Sequence, residues 1–425
     1  MKPGLYFSSI YLCLVFYTLF VPHVADNGIS PRKEKYLPDY NHYHNMSQIY
    51  THLNEIVERN PQYIHLDDSF KSREGFSQLL LHIANFSDSR TAFMNKPFYM
   101  LPKVKVLLSY GEHAREFFPI ESLFYFLTNL TQGLSSPRNS PEENFSRHIF
   151  SKVDLFIVAL MNPDGRHYVE KTQNYCWRGT STGVDINRNF DWNYGGEGSS
   201  AQKGTEELRG SQAFSEPECQ ILIELTRKHK FDAFISFHSG IREIYLPFAD
   251  SVSKKINRKP ENLRNMMDLA KRMSEVMTPQ FAYGQAAQIV NYPADGTVFD
   301  YMAGIRKIPF SYAIELWGEG DKPGMQCFDL FNPPSDILEE SLASIHPLYE
   351  QLFQYLIEWK ERQVKNSLNT ENEGPSLTLC FIMLGIVIVI TIFASCNRRL
   401  PEWMRPYPQR RVISLKSLSS TLHVS

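Results

Sequence analysis

His113 and Glu116 stand three residues apart in Gly111-Glu112-His113-Ala114-Arg115-Glu116. One tight turn or one helical turn brings an imidazole and a carboxylate at that spacing to the same point. A nitrogen and an oxygen ligand from one turn suit a zinc ion that keeps an open coordination position. The same spacing also fits a solvated helix N-terminus. His238 is the best placed third ligand, because the apolar run Phe234-Ile235-Ser236-Phe237 delivers it to Ser239-Gly240. A histidine there can equally be a satisfied core residue. Glu315 lies inside Ala313-Ile314-Glu315-Leu316, and a glutamate carried by a buried strand needs a reason to be charged.

Periodicity shows which elements must position these residues. Residues 104–110 read as a buried strand that breaks at Gly111, and 116–130 read as an amphipathic helix. The His113 turn therefore lies where a strand end meets a helix start, the place where α/β sheets bind ligands. Further strands are predicted at 63–70, 78–84, 153–161, 231–237, 243–248 and 309–316. Helices are predicted at 46–58, 216–230 (with Ser215 as cap), 262–277, 296–303 and 335–359. Asn162-Pro163-Asp164-Gly165 reads as a turn, and 132–144 and 174–198 as loops, the second long enough to be functional. Strands and helices alternate, and several strands are apolar on both faces. This predicts an α/β domain with a mixed, mostly parallel twisted sheet and helices on both faces.

The chain has 425 residues, a net charge of -2 and 43% hydrophobic residues, enough for a large core and without the basic excess of a nucleic-acid binder. Residues 1–25 read as a signal peptide and 26–39 as a short N-terminal arm. Residues 40–362 read as one domain and 363–376 as a linker. The uncharged apolar run 377–396 is long enough for a transmembrane helix, and 397–425 form a basic tail containing Arg398, Arg399, Arg405, Arg410 and Arg411. The positive-inside rule makes this a single-pass type I membrane protein whose main domain is extracellular or lumenal. Sequons at Asn45, Asn85, Asn129 and Asn144 become usable there. Cys176, Cys219 and Cys327 lie outside the apolar runs. One pair and one free thiol are expected, with Cys176–Cys327 as the first choice.

The motifs as a set resemble the zinc carboxypeptidases of the carboxypeptidase A type. The resemblance is carried by Gly111-x-His113-x-Arg115-Glu116, Asn162-Pro163-Asp164-Gly165, Trp177-Arg178, Gly183-Val184-Asp185-Ile186-Asn187-Arg188-Asn189, Phe214-Ser215-Glu216-Pro217-Glu218, His238-Ser239, Tyr292 with Gly296 and Asp300, and Ala313-Ile314-Glu315-Leu316. It covers roughly residues 40–360 and, in details such as Tyr301 and Cys327-Phe328, is similar to a divergent branch. The resemblance implies one Zn²⁺ on His113, Glu116 and His238, with Asp185 orienting His113. It implies Glu315 as general base, Arg178 as oxyanion stabiliser, and Asn187, Arg188 and Tyr292 as the grip on a substrate's free C-terminal carboxylate. Arg115 would polarise the carbonyl or steer the substrate. The pocket floor falls on Phe299, with Ala249 and Asn291 nearby, which implies peptide or protein substrates ending in a neutral apolar or aromatic residue.

Two positions depart from the family pattern. Tyr175 stands where relatives carry an extra arginine, and Gly240 where they carry a tyrosine. The inhibitory pro-segment of digestive relatives is not found before residue 46, so activity without proteolytic activation is expected. Gly179-Thr180-Ser181-Thr182-Gly183 fits a serine-nucleophile pattern but lacks the strand before and the helix after that such an elbow needs. Two other readings keep the same fold: a non-catalytic binding ectodomain, and a zinc amidohydrolase acting on acyl-amino acids.

Overall fold

The computed structural model describes residues 38–86, 103–318, 320, 325–372 and 377–397. The expected signal peptide, most of the arm and the tail beyond Asn397 lie outside the described residues. The strands are β1 (Ile64–Asp67), β2 (Leu80–Ile83), β3 (Val104–Tyr110), β4 (Val153–Val158), β5 (Ala233–His238), β6 (Arg242–Leu246), β7 (Ala282–Gln285) and β8 (Phe310–Leu316). They form one sheet in the order β1-β2-β4-β3-β5-β8-β6-β7. The central run β4-β3-β5-β8 is parallel throughout, whereas β2 against β4 and β6 against β8 are antiparallel. The expected mixed sheet is therefore parallel where it carries the site and reverses toward both edges.

The helices of five or more residues are α1 (Met46–Arg59), α2 (Phe118–Gly133), α3 (Pro141–Lys152), α4 (Pro163–Thr172), α5 (Gln220–Lys228), α6 (Ser251–Ile256), α7 (Leu263–Glu275), α8 (Val298–Gly304), α9 (Cys327–Phe331), α10 (Leu338–Asn372) and α11 (Leu377–Asn397). Asn45 caps α1 in a reciprocal box with Gln48, which closes two orphan donors at once. The buried residues Ile49, Leu53 and Ile56 hold that helix to the core.

The sheet separates two apolar layers. Val106, Leu108, Ile235, Phe237, Tyr312 and Ile314 point into one; Leu107, Phe156, Phe234, Phe299 and Ala313 belong to the other. This alternation is the period of a pleated strand. It leaves Ser109, Ser236, His238 and Glu315 on the second face at the carboxyl ends of β3, β5 and β8.

Several expectations are corrected. Asn162-Pro163-Asp164-Gly165 opens α4, because the Asn162 side chain accepts the Gly165 N–H and Pro163 fits the first helical turn. Part of the expected 132–144 loop is the start of α3, with Ser140 as cap and Pro141 behind it. A short 3₁₀ turn, Pro217–Cys219, precedes α5, and the Ser215 hydroxyl bonds Glu216 rather than capping the helix. Helix α6 and strand β7 were not anticipated; Asp250 caps the helix. Helix α10 runs on through residues 363–372, so the stretch expected as a linker is helical over these residues.

The chain divides into two units at Arg362 and Gln363. The first holds the sheet. The second contains α11, which runs through the predicted span without a charged residue. Among the described residues, no helix is long and apolar enough to cross a membrane; the described side chains of α11 are those of residues 381–396. Cys176 and Cys327 form a disulfide with Cα atoms 5.0 Å apart, and Cys219 stays free and buried.

Candidate active site

Two backbone hydrogen bonds tie the ends of β3 and β4 together: Met161 N–H to Tyr110 O, and Asn162 N–H to Gly111 O. Gly111 takes a positive φ of 68° there, and a Cβ would lie 3.0 Å from Leu160. The Asn162 amide then donates to the carbonyls of Glu112 and Gly179. Ala114 N–H donates to Arg178 O at 2.8 Å. The His113 turn and the Arg178 loop are thus fastened to each other by backbone. From the far side, the Asn332 side chain accepts the N–H groups of Phe117 and Phe118 and donates to Arg115 O. A residue more than two hundred positions away caps the turn that carries Glu116.

His113, Glu116 and His238 meet in this cradle, all buried, with one ligand atom from each within 4.8 Å of the others. His113 Nδ1 lies 2.7 Å from Glu116 Oε1 and 3.1 Å from His238 Nδ1, which is 3.1 Å from Glu116 Oε2. Two ring nitrogens face one another across a carboxylate, a donor set that suits Zn²⁺. Each ring's other nitrogen is engaged: His113 Nε2 is 3.3 Å from Asp185 Oδ1, and His238 Nε2 is 2.6 Å from Ser236 Oγ. Burial disfavours a charged His238, yet the Glu112 and Glu116 carboxylates hold its pKa well above the ordinary histidine value. Burial would likewise raise Glu116, but His113 and His238 hold it well below its usual range. The pocket favours positive charge, and zinc fits it.

Asp185 is the hub of the next layer. It is fully buried and accepts from Arg178 Nε at 2.9 Å and from Asn187 N–H at 2.8 Å, with Arg188 Nη1 3.8 Å away. Burial pushes its carboxyl up, but Arg178, His113 and Arg188 keep it well below its ordinary pKa. Arg178 Nη1 also reaches within 3.7 Å of Glu116 Oε1. The 3₁₀ turn Ile186–Arg188 presents Arg188, and its carbonyl approaches so closely that a Cβ on Gly296 would lie 2.3 Å from it. Arg188 uses Nε on Gly198 O and Nη1 on Asn187 O, so Nη2 makes no hydrogen bond among the described residues. The Asn187 side-chain oxygen accepts from Val298 N–H.

Glu315 is the register partner of His238 on β5 and of Glu243 on β6. Burial, reinforced by the negative charge of Glu116, lifts its carboxyl from 4.5 to about 8. Its Oε2 is buried without a hydrogen-bond partner among the described residues. Strongly shifted groups cluster where chemistry is done.

Not every predicted residue joins this set. Arg115 gives both arms of its fork to Glu206 at 2.8 and 2.9 Å, donates to Cys176 O, and lies 4.1 Å over the Phe331 ring. Tyr292 is 65% exposed and acts on Arg188 through its field. Phe299 and Ala249 are buried as a pocket floor requires, whereas Asn291 is exposed. Tyr175 is buried against Phe117 and Phe328. At Gly240 a Cβ would come within 3.1 Å of Phe331, which takes the space a larger residue would need. The sequence reading missed Glu112, Ser236, Glu206, Glu243 and Asn332; the buried serine in the run before His238 was the one available signal.

The zinc carboxypeptidase family model matches residues 49–344 of the chain. The chain belongs to the zinc carboxypeptidase family. That makes it a hydrolase of the exopeptidase class. Zinc carboxypeptidase A 1 of Anopheles gambiae is 28% identical over 328 residues, covering 74% of this chain and 68% of that protein. Carboxypeptidase A1 of Rattus norvegicus is 27% identical over 300 residues, covering 66% and 64%. Among solved structures, carboxypeptidase A from Helicoverpa armigera superposes with a TM-score of 0.60 at 21% identity, covering 84% of this chain and 83% of that one. Thrombin activatable fibrinolysis inhibitor also gives a TM-score of 0.60, at 20% identity, covering 79% of each chain. At these identities the two structures speak for the fold.

Proposed function

We propose that this zinc carboxypeptidase family member removes C-terminal residues from peptides or proteins, with Glu315 as general base and His113, Glu116 and His238 as zinc ligands. The observation that carries the reading is the convergence of three buried ligand atoms beside Glu315, a half-buried residue whose carboxyl is raised to about 8. Zinc held there would act as a Lewis acid toward the scissile carbonyl and make water a better nucleophile. Glu315 takes the proton from the attacking water and returns it to the leaving amine. A carboxyl raised above its ordinary value is a stronger base once ionised. Arg178, fixed by Asp185, faces the developing oxyanion with a positive charge that costs no reorganisation. Arg188 binds the free carboxylate of the chain end through Nη2, with Asn187 beside it.

Phe299, Ala249 and Ala313 carry no charge, which supports a neutral apolar or aromatic C-terminal residue. We also read the protein as anchored by a single transmembrane helix with the main domain extracellular or lumenal. The uncharged course of α11, the arginines that follow it and the Cys176–Cys327 disulfide support this.

The test is a mixed peptide pool, with added N-acyl amino acids, treated with purified protein with and without a zinc chelator and read by mass spectrometry. Stepwise loss from free C-termini, fastest for Phe and Leu and stopped by the chelator, is the expected result. Internal cleavage, chelator-resistant cleavage or turnover of acyl-amino acids alone would sink the reading.

A further inference from the structure

Glu112 is a buried carboxylate to which the hydrolytic chemistry gives no task. It is 1% exposed, although it precedes a zinc-ligand candidate in a tight turn. Its Oε1 accepts from Ser109 Oγ at 2.9 Å and from Ser236 Oγ at 2.7 Å. These two serines are direct register partners on β3 and β5, so the sheet itself brings both hydroxyls under one oxygen. Its Oε2 lies 3.4 Å from His238 Nε2 and has no other partner among the described residues. Ser236 Oγ also lies 2.6 Å from that same ring nitrogen.

The direction of this chain follows from proton counting. An ionised carboxylate only accepts hydrogen bonds, and a serine hydroxyl has one proton to give. Ser236 therefore gives its proton to Glu112 Oε1 and can only accept from His238. A neutral His238, the form that ligates a metal, must then carry its proton on Nε2, which leaves the Nδ1 lone pair turned toward His113 and Glu116. Asp185 does the same for His113 directly.

We infer that Glu112 is a positioning residue that, through Ser236, sets the tautomer and ring orientation of His238 for zinc. The inference rests on the zinc site proposed above. Outer partners of metal-bound histidines typically contribute about 10- to 100-fold in metal affinity. A glutamine at this position can donate to Ser236, which would turn the hydroxyl toward His238 and favour a proton on the wrong nitrogen.

The test compares the full-length chain, Glu112→Gln and Ser236→Ala by chelator competition for zinc. Thermal melts of the metal-free proteins and visible spectra of the cobalt(II) forms accompany the titration. Stoichiometric zinc binding by the wild type, roughly 10- to 100-fold weaker binding by both variants and an altered cobalt spectrum are expected. A wild type that binds no zinc would overturn the metal reading itself. A wild type that binds while a folded Glu112→Gln binds equally tightly would overturn the inference alone. If Glu112→Gln does not fold, Ser236→Ala decides: wild-type affinity there would also overturn it.

Discussion

Arg188 and Glu243 carry the sharpest consequences at the scale of single residues. Arg188 is buried, supported by Gly198 O and Asn187 O, and leaves Nη2 without a hydrogen bond among the described residues. A charge-assisted hydrogen bond contributes about 1.5–3 kcal/mol, so Arg188→Ala should lower kcat/KM about 10- to 100-fold on peptides with a free C-terminus. The loss should vanish on C-terminal amides, and steady-state kinetics on such a matched pair checks it. Glu243 faces Glu315 across β6 and β8, on the same face and two register positions from Tyr245. Like charges directly opposite repel. Glu243→Gln should therefore ease ionisation of Glu315 and move the acid limb of the kcat/KM profile to lower pH, which steady-state kinetics between about pH 5 and 8 reads.

The element that binds the site together is the short helix α9. It begins at the disulfide with Cys176, two residues before Arg178, and ends beside Asn332, which caps α2 behind Glu116. The disulfide closes a sequence separation of 151 residues, so it removes a large loop from the unfolded ensemble. Cys327→Ser should cost about 2–5 kcal/mol and lower the melting temperature. Activity should fall with it, because the Arg178 loop and the cap of α2 lose a common anchor. Calorimetry of the oxidised and reduced wild type beside the variant provides the check; equal melting temperatures would show that hydrogen bonds alone hold α9.

For the whole molecule, the buried carboxyls predict an unusual pH profile of stability. The Glu315 pKa is about 8 in the folded metal-free protein against an ordinary 4.5. The folded state therefore binds more protons than the unfolded state between these values, and stability must fall as pH rises. The contribution is complete below about 4.5 and gone above about 8. Asp300, pushed upward mainly by burial, acts in the same direction. Denaturant melts of the metal-free protein should thus shift to lower midpoints from pH 5 to pH 8. Glu315→Gln should flatten that slope, because an amide has no proton to lose.

Local patterns were enough to locate the strands that bear His238 and Glu315, the His113–Glu116 turn and the buried face of α1. These depend on periods of 2 and 3.6 and on turn chemistry written in neighbouring residues. His113 and Glu116 were candidates from their spacing and His238 from its place at a strand end, whereas Asp185 came only from the family resemblance. Only the tertiary structure decided what else surrounds them. Strand order puts Ser109 beside Ser236 and Glu243 beside Glu315, and a cross-strand register joins residues more than seventy positions apart. It also gave Arg115 to Glu206, left Tyr292 exposed and made Asn332 a cap. Such partners are set by the closing of long loops around a common core, and no short window of sequence contains both ends.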